Sequence, residues 1–363
     1  MTSPGPEAVG PRPKDARWPR LTGGLPGTGG RLKDMPEDFR VEEVPAFAPT
    51  GTGEHLWLWV EKRGRETAEV ARALARAAGV DMREVGYAGL KDRQAVTRQA
   101  FTVPWRAAGL PGDLGLEGVQ VLRTERTERK LRAGQLWGNA FSVRLREVAT
   151  PEAAPAVLER LGRFGLPNYF GPQRFGRGGD NAARGRALLL GQRLPGRVDR
   201  LQRRLYLSAY QALLFNRALA ARLVSGQYGR ALLGDVLRKA DSGGLFLCQD
   251  VAMDQPRVDT LEVSPTGPMF GWKVKPLPTG AVGEAEAQLL EAEGLPEGAL
   301  RSGRGETEGA RRPYAVPVGA VEMGQEGQDV WLSFRLPRGS YATVLLDEVV
   351  KPDAPLVGPA QTD

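Results

Sequence analysis

Gly86-Tyr87-Ala88-Gly89-Leu90-Lys91-Asp92-Arg93-Gln94-Ala95-Val96-Thr97-Arg98-Gln99 sets one carboxylate, Asp92, between two cations. Nearby positive charge favours the ionised form of a carboxyl group, so Lys91 and Arg93 are expected to keep Asp92 charged at neutral pH. An ionised, positioned aspartate can act as a nucleophile or a base. Gly86 and Gly89 let the backbone turn sharply and let a ligand come close. By itself Lys-Asp-Arg reads as a solvated turn. What lifts this one out of that reading is the series of segments around it.

Four further blocks stand in order along the chain. Gly53-Glu54-His55 precedes the aspartate stretch. Lys130-Leu131-Arg132 and then Gly138-Asn139-Ala140-Phe141 follow it. Next come Pro167-Asn168-Tyr169-Phe170-Gly171-Pro172-Gln173-Arg174-Phe175-Gly176 and, near the end, Leu336-Pro337-Arg338-Gly339-Ser340-Tyr341-Ala342-Thr343. Together these blocks resemble the TruD family of tRNA pseudouridine synthases. The family's Gly-x-Lys-Asp-x-x-Ala-x-Thr-x-Gln motif falls on Gly89, Lys91, Asp92, Ala95, Thr97 and Gln99. The likeness covers nearly all of the chain after about residue 30, and five ordered blocks are far more specific than any one of them.

The resemblance implies an α+β protein, with a mainly antiparallel mixed sheet and flanking helices interrupted by an inserted α/β domain. Residues 30–193 and 316–363 are expected to form the catalytic domain, 194–315 the insertion, and 1–29 a flexible basic tail. It implies pseudouridine formation in tRNA, at position 13 of the D arm, with Asp92 as the essential residue. Lys33, before Pro36-Glu37-Asp38-Phe39, matches a family lysine and is the candidate cation beside Asp92. Phe39 suits either a stack near the site or the core. Asn168 suits a uracil edge or a loop tether, since an amide both donates and accepts. Phe170 stands where other pseudouridine synthases carry a stacking tyrosine; without a hydroxyl it can stack but not transfer a proton. Tyr341 occupies a position where many family members have phenylalanine. Gln173 and Arg174 are expected to brace the loop or contact phosphate. Two other readings compete: a non-catalytic RNA-binding or tRNA-folding protein on the same fold, and a glycosidase-like hydrolase. The hydrolase would need a second carboxylate beside Asp92, and no motif supplies one.

Composition narrows the chemistry. Length and a 41% hydrophobic content argue for two domains with real cores. A net charge of +7 suits a polyanionic partner such as RNA. Of the 50 basic residues 41 are arginine, which grips phosphate in a bidentate way; a GC-rich coding bias that enriches Arg, Ala, Gly and Pro together accounts for much of that excess. No apolar run reaches the roughly 18–20 residues that span a bilayer, and nothing resembles a signal-peptide core. One cysteine, Cys248, permits no intrachain disulfide and suggests a reducing, cytoplasmic setting. One Cys and one His, His55, cannot build a typical zinc site, and no P-loop or Gly-x-Ser-x-Gly elbow is present. No metal or small-molecule cofactor is expected, and tRNA is the expected partner. Oligomeric state is open, with a monomer favoured. His55 begins a buried strand, where a structural hydrogen bond is the commoner fate, and is not assigned to catalysis.

Periodicity supplies the elements. Phe39–Val44 alternates as a strand; Leu56-Trp57-Leu58-Trp59-Val60 is apolar throughout, as a strand buried on both faces is. A helix is expected from Glu66 to Ala78, with Thr67 as N-cap and Gly79 as its stop. Phe141–Arg146 alternates strictly. Leu201–Val224 reads as a long amphipathic helix, Val330–Leu336 as a strong strand, and Ser340–Val350 as a final helix.

Overall fold

The computed structural model describes residues 17–32, 34–105, 114–302 and 306–353. The chain opens with β1 (Arg31–Leu32), β2 (Phe39–Pro45), β3 (His55–Arg63), α1 (Thr67–Ala78), β4 (Gly86–Tyr87), β5 (Val96–Pro104), β6 (Val119–Thr127), β7 (Leu136–Arg146) and α2 (Ala154–Phe164). It leaves through β8 (Leu166–Pro167) into α3 (Asn181–Leu189), α4 (Arg200–Val224), β9 (Val236–Lys239), β10 (Leu245–Leu247), α5 (Val251–Asp259), β11 (Val263–Met269), α6 (Gly280–Glu291), α7 (Ala299–Ser302) and β12 (Ala310–Pro313). It returns through β13 (Ala315–Val316) to β14 (Gly319–Glu326), β15 (Asp329–Pro337) and α8 (Ala342–Val350). Two units result. One comprises 24–166 with 316–351; the other comprises 17–23, 167–315 and 352–353. This is a mixed α+β fold.

The first unit is built on a nine-stranded sheet in the order β14-β15-β7-β2-β5-β3-β6, with β1 on β7 and β4 on β5. The β2–β5 pair is parallel and the others are antiparallel. The apolar run in β3 is buried on both faces, as its sequence demands. Leu58 and Val60 pack with Val70, Leu74, Phe101 and Val103 under α1, while Trp57 packs with Ala88, Ala100 and Leu131. In β7, Phe141, Val143 and Leu145 are buried and alternate with Ser142, Arg144 and Arg146, which keep contact with solvent.

The helix expected from Glu66 starts one residue later. Glu66 is its N-cap, its backbone N–H donating to Glu69 Oε2, and Gly79 closes it in the left-handed conformation (φ 62°). Thr67 is therefore inside the helix, and its hydroxyl is spent elsewhere.

The second unit holds a four-stranded antiparallel sheet, β10-β9-β11-β12. The long helix is present as α4, capped reciprocally by Asp199 and Gln202. It buries Leu207, Tyr210 and Leu214 against Leu189 and Phe270.

Of the expected tail, residues 1–16 lie outside the described residues, while 17–29 are packed. Trp18 stacks on Tyr169 at 5.6 Å. Thr22 and Thr28 are fully buried, and Thr28 N–H donates to Val349 O. Two aromatic rings and a pair of buried threonines supply anchoring that Gly- and Pro-rich composition conceals. The inserted segment was expected at 194–315, whereas packing groups 167–193 with it. No helix among the described residues is long and apolar enough to cross a membrane.

Candidate active site

Strand register places the groups beneath Asp92. Thr97 in β5 pairs with Val41 of β2 on one side and with Lys62 of β3 on the other, and directly paired residues share a face of the sheet. Gln99 pairs with Val60, and Glu43 with Asn139, so Glu43, Gln99 and Asn139 stand on that face too. Each of these three is polar and each is used by the loop between β4 and β5.

That loop is sewn down at several points. Gln99 Nε2 donates to Gly89 O at 3.0 Å. Thr67 Oγ1 donates to Gln99 Oε1 at 3.0 Å and accepts from Lys91 N–H at 2.9 Å. Gly134 N–H donates to Ala88 O. Lys62, 1% exposed, donates from Nζ to three carbonyls: Asp92 at 2.6 Å, Arg65 at 2.8 Å and Lys91 at 3.2 Å. Asp92 itself is partly exposed, and its Oδ1 accepts from Gln94 N–H at 2.9 Å, which fixes the carboxylate in an Asx turn.

The cations flanking Asp92 in sequence have other partners. Lys91 Nζ is buried, 3.1 Å from Glu43 Oε2 and 2.6 Å from Asn139 Oδ1. Burial pushes the Glu43 carboxyl up and the Lys91 ammonium down, each opposed by the charge of the other. Arg93 Nε donates to Gly64 O. The cation brought under Asp92 is Lys62, which carried no signal in the sequence. Burial pulls its ammonium down to about 8, against the pull of Asp92's charge.

The glycines act differently from each other. A Cβ on Gly86 would lie 2.4 Å from both Leu131 O and Thr102 Oγ1, so this position admits no side chain. Gly89 has open space where its Cβ would be, consistent with a backbone that a ligand can approach.

The remaining sequence-derived residues divide between the units. Lys33 lies outside the described residues. Phe39 is 5% exposed, its ring edge-on to Phe141, which stacks on Phe334; it sits in the core. Tyr341 is 6% exposed at the N-cap of α8. His55 begins β3, and its Nδ1 is buried without a hydrogen-bond partner among the described residues.

In the second unit Asn168 and Phe170 come together around Arg312. Arg312 donates from Nη2 to Asn168 Oδ1 (2.6 Å) and from Nε to Asn168 O (3.1 Å). Asn168 Nδ2 donates to Pro313 O at 3.0 Å. Both ends of the amide are thus engaged, which is the loop-tether arrangement. The Arg312 guanidinium lies 4.0 Å from the centre of the Phe170 ring, and Phe215 meets that ring edge-on. Asn216 holds Phe170's backbone at both N–H and C=O. Arg174 lies 5.7 Å from the same ring. Arg312 follows another arginine, Arg311, whose guanidinium is buried against Glu286; nothing in the Arg311-Arg312 dipeptide distinguishes the two roles.

Comparison with known proteins adds a family. The family model described as tRNA pseudouridine synthase D (TruD) matches residues 20–194 and 195–349. Proteins named tRNA pseudouridine synthase D are similar to the chain over most of its length. The one from Anaeromyxobacter dehalogenans is 49% identical, covering 93% of this chain and 98% of the relative. That from Thermus thermophilus is 44% identical, covering 93% of each. Among solved structures, one described as a TruD from Methanosarcina mazei superposes with a TM-score of 0.72, covering 93% of this chain and 97% of that one. At 22% identity, that likeness speaks for the fold.

Proposed function

We propose, for a chain that belongs to the tRNA pseudouridine synthase D family, that Asp92 is the reacting carboxylate and that the target is the uridine at position 13, in the D arm. The family activity is the isomerisation of uridine to pseudouridine in tRNA. Uracil is detached from C1′ of the ribose, turned, and rejoined through C5. A base inside folded RNA must first be extruded before a side chain can reach it.

One observation carries the assignment of Asp92. It is a partly exposed carboxylate on a loop whose backbone is pinned from below by Lys62, Thr67 and Gln99. A group so placed can meet a reacting atom without first paying for its own ordering. An ionised aspartate so placed has three routes to the product: attack on uracil C6, attack on ribose C1′ or removal of a ribose proton. By family resemblance Lys33 is assigned as a cation serving Asp92, Tyr341 as a substrate residue and, in the other unit, Asn168 and Phe170 likewise; Phe39, also a candidate, is packed in the core. Residues 194–315 are taken as the inserted TRUD-type domain, and the cytoplasm as the place of action.

The test is Asp92→Asn and Asp92→Ala, assayed with uridine-labelled tRNA for pseudouridine and, separately, for tRNA binding. Turnover should drop about a thousandfold or more, the scale for losing a group that acts in the transition state. Binding should be largely kept, because no phosphate contact is removed. Substantial turnover by the Asn variant, with deamidation excluded by mass spectrometry, would falsify the assignment. A transcript with position 13 changed to cytidine should lose its pseudouridine; modification at another position would overturn the site.

A further inference from the structure

We propose that Lys62 is the positioning residue of the Asp92 loop, a charged three-way clamp on the backbone carbonyls of Arg65, Lys91 and Asp92 that holds the carboxylate where it reacts. The inference rests on the reading of Asp92 as the reacting group.

The clamp is a match of valence. An ammonium carries three N–H donors and no acceptor. Lys62 Nζ finds three carbonyl oxygens, at 2.6, 2.8 and 3.2 Å. With 1% of the residue exposed, water does not substitute for any of them. A buried charge is tolerated only when it is paired and hydrogen-bonded, and here every donor is satisfied. Two of the acceptors are consecutive, Lys91 O and Asp92 O, so the peptide planes on either side of the Asp92 Cα are both fixed. The Asx turn to Gln94 N–H restricts rotation about the Asp92 side-chain bonds as well.

The same geometry makes the clamp sensitive to its own proton. A neutral amine has two N–H donors and a lone pair. One of the three carbonyls would then face that lone pair, and the loop would move to relieve it. The charged groups around Lys62 are Asp92 and Lys91 on the loop and Glu66 and Glu69 at the start of α1. Burial and Lys91 favour the neutral form; Asp92, Glu66 and Glu69 favour the charged one. The outcome is a lysine that titrates near 8. A compact ammonium suits this role, whereas the planar, permanently charged guanidinium of arginine does not fit three carbonyls around one point.

Folding and activity should therefore respond to alkali in opposite directions. The Lys62 pKa is lowered in the folded protein, so the unfolded chain binds more protons above about pH 8 and this group's contribution to stability rises with pH there. The clamp, however, loses its third bond over the same range.

The experiment is a single-turnover pH profile from roughly pH 6.5 to 9.5 on the wild type, Lys62→Met and Asp92→Asn, with tRNA affinity and thermal melting followed in parallel. The wild-type rate should fall along a limb near 8, with no matching limb in tRNA affinity and no matching fall in melting temperature. Lys62→Met should lower the rate on the order of a hundredfold, the scale for a small misplacement of a reacting group, and the limb should vanish. A wild-type rate that stays flat to the alkaline end overturns the clamp, and this holds even if the Met variant fails to fold. So does a folded Met variant within about threefold of the wild-type rate. An active Asp92→Asn would instead overturn the reading of Asp92, while a dead Asp92→Asn beside an active Lys62→Met would overturn the clamp alone.

Discussion

Beneath the Asp92 loop lies a lysine; against Asn168 lies an arginine. Both brace a motif segment, but they do so with different chemistry. Lys62 is a point charge sealed from water, and it binds backbone only. Arg312 is partly exposed, grips one residue at both its side chain and its carbonyl, and spreads its flat face over the Phe170 ring. An ammonium in a sealed site can give up its proton. A guanidinium does not. One region of the molecule is thus held by a brace that pH can loosen, and the other by one that pH leaves alone. The contrast can be broken or sharpened by removing each brace and its neighbours in turn.

The largest effect on stability should come from the ion pair that shares the Asp92 loop. Lys91→Met leaves Glu43 fully buried without its partner, and losing one member of a buried pair costs about 3–5 kcal/mol. The Glu43 pKa, already raised, should rise further in this variant. A raised carboxyl contributes stability below its unfolded value and loses it as pH climbs through the folded value. The deficit against wild type should therefore be small near pH 5 and grow toward pH 8 in denaturant melts. Adding Glu43→Gln should recover much of it. A deficit that stays constant with pH would show that Glu43 is not the group left exposed to the change.

Next in size is Arg312→Leu. It strips the charged donor from two acceptors on Asn168 and removes a cation from the face of Phe170. Hydrogen bonds to charged groups contribute about 1.5–3 kcal/mol, and a cation–π contact adds about 0.5–2. A loss of about 2–4 kcal/mol is expected, with no dependence on pH between roughly 7 and 9.5, since the guanidinium does not titrate there. A pH-dependent loss would erase the contrast with Lys62.

How much of this was legible in the sequence divides along the same line. Helices α4 and α8 and strands β3, β7 and β15 declared themselves through their apolar spacing, because burial of one face leaves a periodic trace. Asp92 declared itself only through its motif. Lys62 stood in Val60-Glu61-Lys62-Arg63, which looks like the solvated end of a strand; its burial comes from the loop that folds over it, thirty positions later in the chain. Arg311 and Arg312 are adjacent and identical, and only strand alternation sends one to Glu286 and the other to Asn168. Local spacing carries periodic burial well. It carries almost nothing about which polar group a distant loop will meet. The flanking cations Lys91 and Arg93 show the reverse error: adjacency in sequence suggested partners for Asp92, while their side chains reach Glu43, Asn139 and Gly64.

A smaller effect tests what Arg312 supports. If Phe170 holds the extruded uracil, Phe170→Ala should slow turnover by an amount corresponding to about 1–3 kcal/mol, the worth of a base–aromatic stack. Phe170→Tyr should keep far more activity, and Phe170→Leu should fall between. The ring is 8% exposed and already in contact with Arg312 and Phe215, so a purely packing role is the rival. In that case Tyr would suffer from a hydroxyl without a partner, Leu would be best tolerated, and activity would follow melting temperature across the three variants. Turnover and melting on the same preparations decide between the two orders.

The last effect, no larger than that at Phe170, belongs to Thr67, the residue whose sequence suggested a helix cap. Its hydroxyl instead joins two motif positions, donating to Gln99 and accepting from Lys91, which lie 32 and 24 residues away. Thr67→Ser keeps the hydroxyl and loses one buried methyl, so it should cost about 1 kcal/mol or less. Thr67→Val keeps the shape and loses both bonds, leaving the Lys91 N–H and the Gln99 carbonyl oxygen without this partner in a buried place. That should cost about 1–3 kcal/mol. If the hydroxyl served the helix end, both variants would fray α1 and leave the loop alone. If it serves the loop, Val should slow turnover more than its loss of stability explains, while Ser should not. Hydrogen exchange at the Lys91 amide gives the direct reading: faster exchange in Val and unchanged exchange in Ser ties Thr67 to the Lys62-braced loop, and equal exchange in both variants returns it to the helix.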